Sequence, residues 1–286
     1  MSVSYKALTR RKGSKFNIVI YIVCTILAVL SIFPFWVMIV NATRSTFQIQ
    51  EKAISLIPSE FLLNNLKVLN GKTFNPGTGF LNSIVISTSA TALAVYFSTL
   101  TAYGLVAYNW RLRQPFFTLI LAVMMIPTQV ISIGFYQFMY RIHMTNNLLA
   151  LILPSIAAPA TVFFMRQYML PSLNLDIVAS ARIDGAGEFH TFNRIVLPIM
   201  KPAMATQAIF TFVSTWNNLF LPMILLTKKE YYTMPIMVSL LKGDIYKTEY
   251  GAVYLALAMS VLPLLIVYFI LSKYIIAGVA LGSVKE

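Results

Sequence analysis

The chain has 286 residues, of which 58% are hydrophobic and only 11% are charged. Because soluble domains carry about 25% charged residues, this composition excludes an ordinary water-soluble globule and makes the lipid bilayer the solvent of the fold. The net charge of +13 does not indicate nucleic-acid binding, since the basic residues cluster beside apolar segments, where Lys and Arg set membrane topology. A single cysteine, Cys24, excludes an intrachain disulfide.

Six apolar segments are each long enough to cross about 30 Å of hydrocarbon at about 1.5 Å per residue. They lie at residues 16–40, 80–107, 115–139, 147–165, 203–227 and 251–271. We therefore predict an all-α integral membrane protein with six transmembrane helices. Residues 16–279 would form one membrane domain between an amino-terminal tail, 1–15, and a carboxyl-terminal tail, 280–286.

Basic residues predict which side of the membrane each loop occupies. The tail 1–15 holds five basic residues and no acid, and the hinge 109–114 contributes Arg111 and Arg113. Both should be cytoplasmic by the positive-inside rule. With six spans, both termini and residues 166–202 then lie inside, and 41–79, 140–146 and 228–250 lie outside. The expected location is a cell membrane, crossed several times.

Ionisable side chains are missing from the predicted spans. All nine acids fall in predicted loops or at the carboxyl end, which disfavours an ion-coupled carrier or proton pump. The two histidines, His143 and His190, are predicted on opposite sides of the membrane, so we identify no catalytic residue and no metal site. If transport is active, a separate protein at the cytoplasmic face must supply the energy.

Prolines interrupt several predicted spans, and each removes a backbone donor and can bend its helix. They are Pro34, Pro127, Pro154, Pro159, Pro222 and Pro263. Two interpretations remain open from the residues: packing irregularity, or broken helices that line a water-filled path.

The cytoplasmic stretch 174–202 carries the most information. Asn174 is a good N-cap, and Asp176 lies in the first turn, where a negative charge meets the positive end of the helix dipole. We predict a helix over 175–184, a stop at Gly185 and Gly187, and a second short helix before Pro198. The residues alone fit either an amphipathic connector on the membrane or a docking element.

A spaced motif distinguishes the two. The motif begins with the triplet Ala179, Ser180 and Ala181, and Gly185 follows after three residues. Ile195 comes after nine more residues, and the pair Leu197 and Pro198 after one more. The motif, with Arg182 and Asp184 inside it, resembles the cytoplasmic signature of binding-protein-dependent ABC importer permeases, in particular the maltose-type, multiple-sugar branch. The likeness extends from about residue 82 through 125–127, 151–154 and 216–218 to the carboxyl tail.

This resemblance implies a type I ABC importer permease fold, with a cytoplasmic coupling helix in a loop at about 170–202 that seats in a cleft of an ATPase subunit. It implies a paralogous permease, two ATPase subunits and an extracytoplasmic sugar-binding protein as partners. The chain itself would bind no cofactor, and ATP and Mg would be held by the ATPases. The implied function is to form half of the translocation pathway of a sugar importer in a bacterial cell membrane, with an oligosaccharide as the favoured solute.

Other functions remain open, namely an importer of a polyol, glycerol phosphate or uronide, or a membrane assembly protein or enzyme.

One departure from the signature also matters. The family commonly has glutamate where this chain has Ala179, so the ion pair made there is lost. Asp176, almost one turn earlier, is the candidate to supply that charge.

Sugar recognition combines aromatic faces with amide and hydroxyl groups. Candidates in or near the predicted spans are Gln129, Tyr136, Gln137, Tyr140, Trp216, Asn217 and Asn218. Each of these residue types also serves at membrane interfaces or ties helices together, so the pathway assignment is a hypothesis.

Overall fold

The computed structural model describes residues 13–70, 75–242 and 248–282. The remainder of the two predicted tails lies outside the described residues. All regular elements within these ranges are helices: α1 Gly13–Ala42, α2 Thr46–Glu51, α3 Leu62–Leu69, α4 Pro76–Val106, α5 Arg113–Met124, α6 Thr128–Arg141, α7 Leu149–Ile152, α8 Pro159–Ser172, α9 Leu175–Ile183, α10 Glu188–Thr191, α11 Leu197–Trp216, α12 Phe220–Leu225, α13 Met234–Lys242 and α14 Tyr250–Gly282. Short 3-10 helices span Leu153–Ile156 and Lys229–Tyr231, and a π-helix spans Phe192–Val196.

Among the described residues, five helical segments are long and apolar enough to cross a membrane. They are Asn17–Ala42, Pro76–Val106, Leu149–Ser172, Glu188–Trp216 and Tyr250–Ser272. The pair α5 and α6, bent by 97°, makes a sixth if it is counted as one span. The predicted all-α membrane fold is confirmed.

The structure changes the bounds of the fifth of the six predicted spans. This span runs over Glu188–Trp216 rather than 203–227, so the helix predicted to stop before Pro198 continues into the span. Glu188, His190 and Lys201, which were predicted to lie in a loop, therefore belong to this helix. At about 1.5 Å per residue, its 29 residues exceed the hydrocarbon thickness, and its first turns can lie in the headgroup region.

The stretch predicted to be cytoplasmic is also shorter than predicted at its other end. Residues 166–172 continue α8 instead of forming a loop. The Arg166 guanidinium carbon lies 4.0 Å from the ring centroid of Phe117 on α5. This cation–π contact partly compensates the charge of an arginine inside a span.

Contacts divide the chain into two units, residues 1–71 with 241–259 and residues 72–240 with 260–286. In the first unit, Arg44 is only 7% exposed. Its guanidinium donates to Asn41 Oδ1 at 2.9 Å and to the carbonyls of Lys52 at 2.7 Å and Gln48 at 2.6 Å. A Cβ on Gly251 would lie 2.3 Å from the Arg44 carbonyl oxygen, so only glycine fits there.

In the second unit, α4 is the central helix and packs against α8 and α11. Its buried face consists of small and hydroxyl-bearing residues, which let helix backbones approach closely: Ser83, Ser87, Ala90, Ala94, Ser98 and Ala102. Toward its carboxyl end, α4 meets an apolar cluster that includes Tyr103, Met165, Met169 and Phe192. This cluster positions the loop described next.

Three helix breaks also lie in the second unit. The α5/α6 bend falls at residues 125–127, the chain between α7 and α8 turns through a 3-10 helix, and α11 ends three residues before α12 begins. Pro127, Pro154 and Pro159 lie at the first two breaks, whereas α1 and α14 run through Pro34 and Pro263. The predicted prolines therefore break some helices and are accommodated in others.

Candidate functional site: the cytoplasmic loop

The loop, residues 173–187, is organised around α9, Leu175–Ile183, which confirms the helix predicted over 175–184. Asn174 caps it, with Oδ1 accepting from the Asp176 amide at 2.9 Å. Ser180 Oγ donates to the Asp176 carbonyl at 2.9 Å. One face is anchored, since Val178 is 1% exposed and joins the cluster at the end of α4.

The opposite face of α9 is open. Asp176, Ala179 and Ser180 are exposed, and so are Arg182, Asp184 and Gly185 at the end of the helix. Ile183 is 86% exposed, which is unusual for an isoleucine outside the lipid region. Of the remaining motif residues, Ala181 is buried, Ile195 and Leu197 are half-buried, and Pro198 is exposed.

Gly185 ends α9 through its backbone conformation. Its φ of +80° lies in the left-handed region, where a Cβ is unfavourable even though the space around it is empty. The amides of Gly185 and Ala186 close the turn by donating to the carbonyls of Arg182 at 3.1 Å and Ala181 at 2.9 Å. Gly187 has an ordinary φ of −66° and precedes α10, so the two glycines have different requirements.

Glu188 connects the loop to the end of α4. Arg182 Nε donates to Glu188 Oε1 at 2.6 Å, and Arg182 Nη2 donates to Oε2 at 3.3 Å. The hydroxyls of Tyr103, at 3.3 Å, and Tyr108 donate to the same Oε2. We call these four residues the clamp, because they join α9, the start of α10 and the carboxyl end of α4.

Two clamp residues, Tyr108 and Arg182, are held in their protonated forms. Burial, followed by the hydrogen bond to Glu188, raises the pKa of Tyr108 above its ordinary value, so its hydroxyl stays a donor at neutral pH. Donation to Glu188 raises the pKa of Arg182, whose guanidinium carbon also lies 5.0 Å from the Tyr108 ring centroid. Because the Arg182 and Glu188 side chains are 37% and 47% exposed, their ion pair contributes only about 0–1 kcal/mol to stability. Its effect is mainly on geometry.

The second half of the motif spans a π-helix, which holds Ile195, and the start of α11, which holds Leu197 and Pro198. Phe192–Val196 adopts this wider winding directly before α11, and Phe192 and Val196 are buried. Pro198 has no amide to donate to the carbonyl of Arg194, which lies within the π-helix. Such segments are often found at functional sites, and here the irregularity coincides with Ile195 of the motif.

The seven predicted sugar-pathway residues fall into two groups. Gln129, Tyr136, Gln137 and Tyr140 are exposed along α6, with the two tyrosine rings 6.3 Å apart. Trp216 is 2% exposed, stacks on Phe212 and donates Nε1–H to the Ser260 carbonyl at 3.0 Å.

The two asparagines that follow Trp216 differ in their surroundings. Asn217 is exposed, whereas Asn218 lines a cavity beside α12. The structure therefore does not bring the seven candidates into one site, and their role in a sugar path stays a prediction.

The sequence did not identify three of the four clamp residues. Arg182 was included through the motif, but Glu188, Tyr103 and Tyr108 were not singled out. Arg182 and Glu188 are six positions apart, which is not a helical neighbour spacing, and the tyrosines are about 80 residues away. The one local signal was an acid at the first turn of a helix after a glycine.

Comparison with known proteins identifies the family of the chain. Residues 94–280 match the family model described as "Binding-protein-dependent transport system inner membrane component". The arabinooligosaccharides transport system permease protein AraQ of Bacillus subtilis is 32% identical over 95% of this chain and 97% of that protein. The lactose transport system permease protein LacG of Rhizobium radiobacter is 31% identical over 94% of this chain and 96% of that protein.

A solved structure has the same fold. It is a crystal structure of a bacterial ABC transporter involved in the import of the acidic polysaccharide alginate, and one of its chains matches with a TM-score of 0.77 and 22% identity. The match covers 96% of this chain and 99% of that chain. The chain therefore has the type I ABC importer permease fold.

The family match and the relatives define a membrane-embedded transport subunit rather than an enzyme. The chain belongs to the family of inner membrane components of binding-protein-dependent transport systems. It is thus a permease subunit of an ABC importer, and membership implies an ATPase and a substrate-binding protein as partners.

Proposed function

We propose that the chain forms half of the translocation pathway of an ATP-driven sugar importer, with an oligosaccharide as solute. Support comes from the relatives that match nearly the whole chain, whose names refer to arabinooligosaccharides, lactose and melibiose, raffinose and stachyose. The observation that carries the proposal is the exposed α9 with its matched motif, held in place by the clamp.

In this proposal the exposed face of α9, from Asp176 to Gly185, seats in a cleft of a cytoplasmic ATPase subunit. Two such ATPases hold ATP and Mg, a paralogous permease completes the path, and a sugar-binding protein delivers solute outside. Both termini then lie in the cytoplasm. With Ala179 in place of glutamate, Asp176 supplies the negative charge to the ATPase, and its exposure leaves it available to do so.

The clamp would transmit ATPase movement into the membrane. Because Glu188 accepts hydrogen bonds from both Arg182 and the tyrosines of the α4 end, a displacement of α9 pulls on α4. Because α4 packs along α8 and α11, the displacement reaches these spans as well. This argument identifies the clamp residues as positioning residues, since none of them would touch nucleotide or solute.

One relative favours a second solute class. The sn-glycerol-3-phosphate transport system permease protein UgpE of Pectobacterium atrosepticum is 28% identical over 95% of this chain. A phosphate group is bound most strongly by the cationic donors of Arg and Lys. The pathway candidates are Gln, Tyr, Trp and Asn residues, none of which is cationic, and they suit uncharged hydroxyl groups. A neutral sugar is therefore the better match.

The test is reconstitution of the chain in liposomes with its co-expressed permease partner, ATPases and binding protein. Uptake and ATPase rate are measured with an arabinooligosaccharide, lactose, raffinose, diacetylchitobiose and sn-glycerol 3-phosphate. We expect one sugar to stimulate ATP hydrolysis and to accumulate. Stimulation by glycerol phosphate alone would replace the sugar with the second solute class. Uptake without nucleotide would contradict the proposed ATP-driven mechanism.

A further inference from the structure

A small, mostly apolar cavity that contains three polar side chains lies where broken helices of the second unit meet. It has a volume of about 160 Å³ and is lined by residues of α4, α6, α7, the following 3-10 helix, α11 and α12. Its polar lining residues are Ser155, Thr215 and Asn218, and none of its described lining residues is charged. Two of the three breaks, at 153–158 and 217–219, border it, and α6, which follows the third break, contributes Phe135.

The polar groups of this cavity have unused hydrogen-bonding capacity. Ser155 Oγ donates to the Ile152 carbonyl at 2.5 Å and still has lone pairs that can accept. Among the described residues, the Thr215 hydroxyl and the Asn218 side-chain amide have no hydrogen-bond partner. In a membrane-spanning region an unpaired amide or hydroxyl is costly, so these groups require water or a hydroxyl-bearing solute.

Discontinuous spans place such groups where a solute passes. Membrane transporters build solute sites from broken helices because irregular backbone is tolerated only where it lines a cavity. Asn218 lies in the three-residue break between α11 and α12, and its backbone amide donates to the Thr215 carbonyl at 3.2 Å. The backbone bond holds positions 215 and 218 close together.

We propose that Ser155, Thr215 and Asn218 form a contact site for the hydroxyl groups of an uncharged solute on this subunit's side of the path. This inference rests on the proposed sugar transport. At about 160 Å³ the cavity is smaller than the roughly 300–1,000 Å³ of pockets that enclose a drug-sized ligand. It therefore takes one edge of a sugar ring, and the rest of the sugar lies outside it.

Two substitutions in the reconstituted complex test the contact by uptake. Thr215→Val and Asn218→Ala should each lower uptake of the best-transported sugar by roughly 2- to 10-fold, the effect of one net hydrogen bond. Thr215→Ser keeps the hydroxyl and should restore uptake. Ser214→Ala, on the exposed neighbour, is the control and should match the wild-type chain. Equal loss in Thr215→Ser and Thr215→Val would indicate packing and overturn the proposal.

Chemical labelling gives a second readout. In a Cys24→Ala background, Thr215→Cys and the control Ser214→Cys are treated with methyl methanethiosulfonate during turnover, with and without the transported sugar. We expect the sugar to slow labelling at 215 and not at 214. Labelling at 215 that the sugar leaves unchanged would show a cavity filled by water only and would overturn the proposal.

The outcomes separate this inference from the proposed function. If the complex takes up a sugar but that sugar does not slow the labelling of Thr215→Cys, only the contact site is contradicted and the proposed function stands. Uptake of sn-glycerol 3-phosphate and of no sugar contradicts the proposed function. Protection of Thr215→Cys by that anion would then also contradict the assignment of an uncharged solute.

Discussion

Different kinds of contact stabilise the loop around α9 and the helix ends that line the cavity. The loop depends mainly on residues close in sequence: the Asn174 cap, the left-handed Gly185 and the Arg182–Glu188 bridge. The cavity depends on helix ends that are distant in sequence, around Pro154 and Asn218. Directional local contacts make a stiff element that can transmit movement, whereas a cavity between helix breaks changes when its helices move.

The largest expected effect comes from the loop's turn. Gly185→Val places a β-branched residue at φ +80°, which costs about 1–2 kcal/mol or more and should change the direction in which the chain leaves α9. We expect ATP-driven uptake to fall by more than about 10-fold, measured in liposomes. Gly187→Val is the matched control, because Gly187 has an ordinary φ of −66° and open space around it.

If both glycine variants lose uptake equally, bulk near the ATPase and not the turn conformation is responsible. If neither loses uptake, the loop does not carry the coupling. Either result would remove the contrast between a stiff loop and a deformable cavity. Thermal unfolding of the purified complex should be nearly unchanged in Gly187→Val.

The clamp predicts a smaller effect with a specific signature. Glu188→Gln removes the carboxylate that accepts from Arg182, Tyr103 and Tyr108, and we expect roughly 3- to 10-fold weaker coupling of ATPase activity to uptake. Stability should change by less than about 1 kcal/mol, because the ion pair is exposed.

A double-mutant cycle with Tyr108→Phe distinguishes transmission from local packing. If the two residues act as one unit, the effects of Glu188→Gln and Tyr108→Phe on coupling should be far from additive. Additive effects would show that the hydroxyl and the carboxylate act independently, contrary to the clamp.

Local signals in the sequence explain what could be predicted. The α9 helix, its Asn174 cap and the stop at Gly185 follow from residue types whose conformational preferences act within a few positions. Apolar length located most of the spans. It failed for the fifth, because the first half of α10–α11 contains charged residues. One of them, Glu188, contacts Arg182, Tyr103 and Tyr108, and the two tyrosines come from a distant part of the chain.

Nonlocal packing explains what could not be predicted. Trp216, Asn217 and Asn218 are adjacent in sequence and look equally suitable for sugar binding, yet they face a buried stack, an exposed surface and the cavity. Which face each side chain takes depends on where α11 ends and on the position of α14, and no spacing rule in the sequence specifies either.

A substitution at Trp216 tests whether this residue serves packing or solute contact. Trp216→Phe removes the Nε1–H that donates to the Ser260 carbonyl, while the ring stack on Phe212 can persist. We expect a loss of about 1 kcal/mol in stability, seen as a thermal midpoint lower by a few degrees, and uptake within about twofold of the wild-type chain. A change in sugar selectivity without loss of stability would instead place Trp216 in the path.

Among the loop and clamp residues, the smallest expected effect is at Asp176. Its carboxylate lies in the first turn of α9, where interaction with the helix dipole contributes about 0.3–1 kcal/mol, and it is exposed toward any docking partner. Asp176→Asn removes the charge and leaves the Asn174 cap intact, because the cap uses the backbone amide of residue 176. If Asp176 supplies the charge that Ala179 lacks, coupled uptake should fall roughly two- to fivefold and the deficit should shrink at high salt. A variant that couples normally at low salt would show that the exposed face of α9 docks without charge, through its backbone and small side chains.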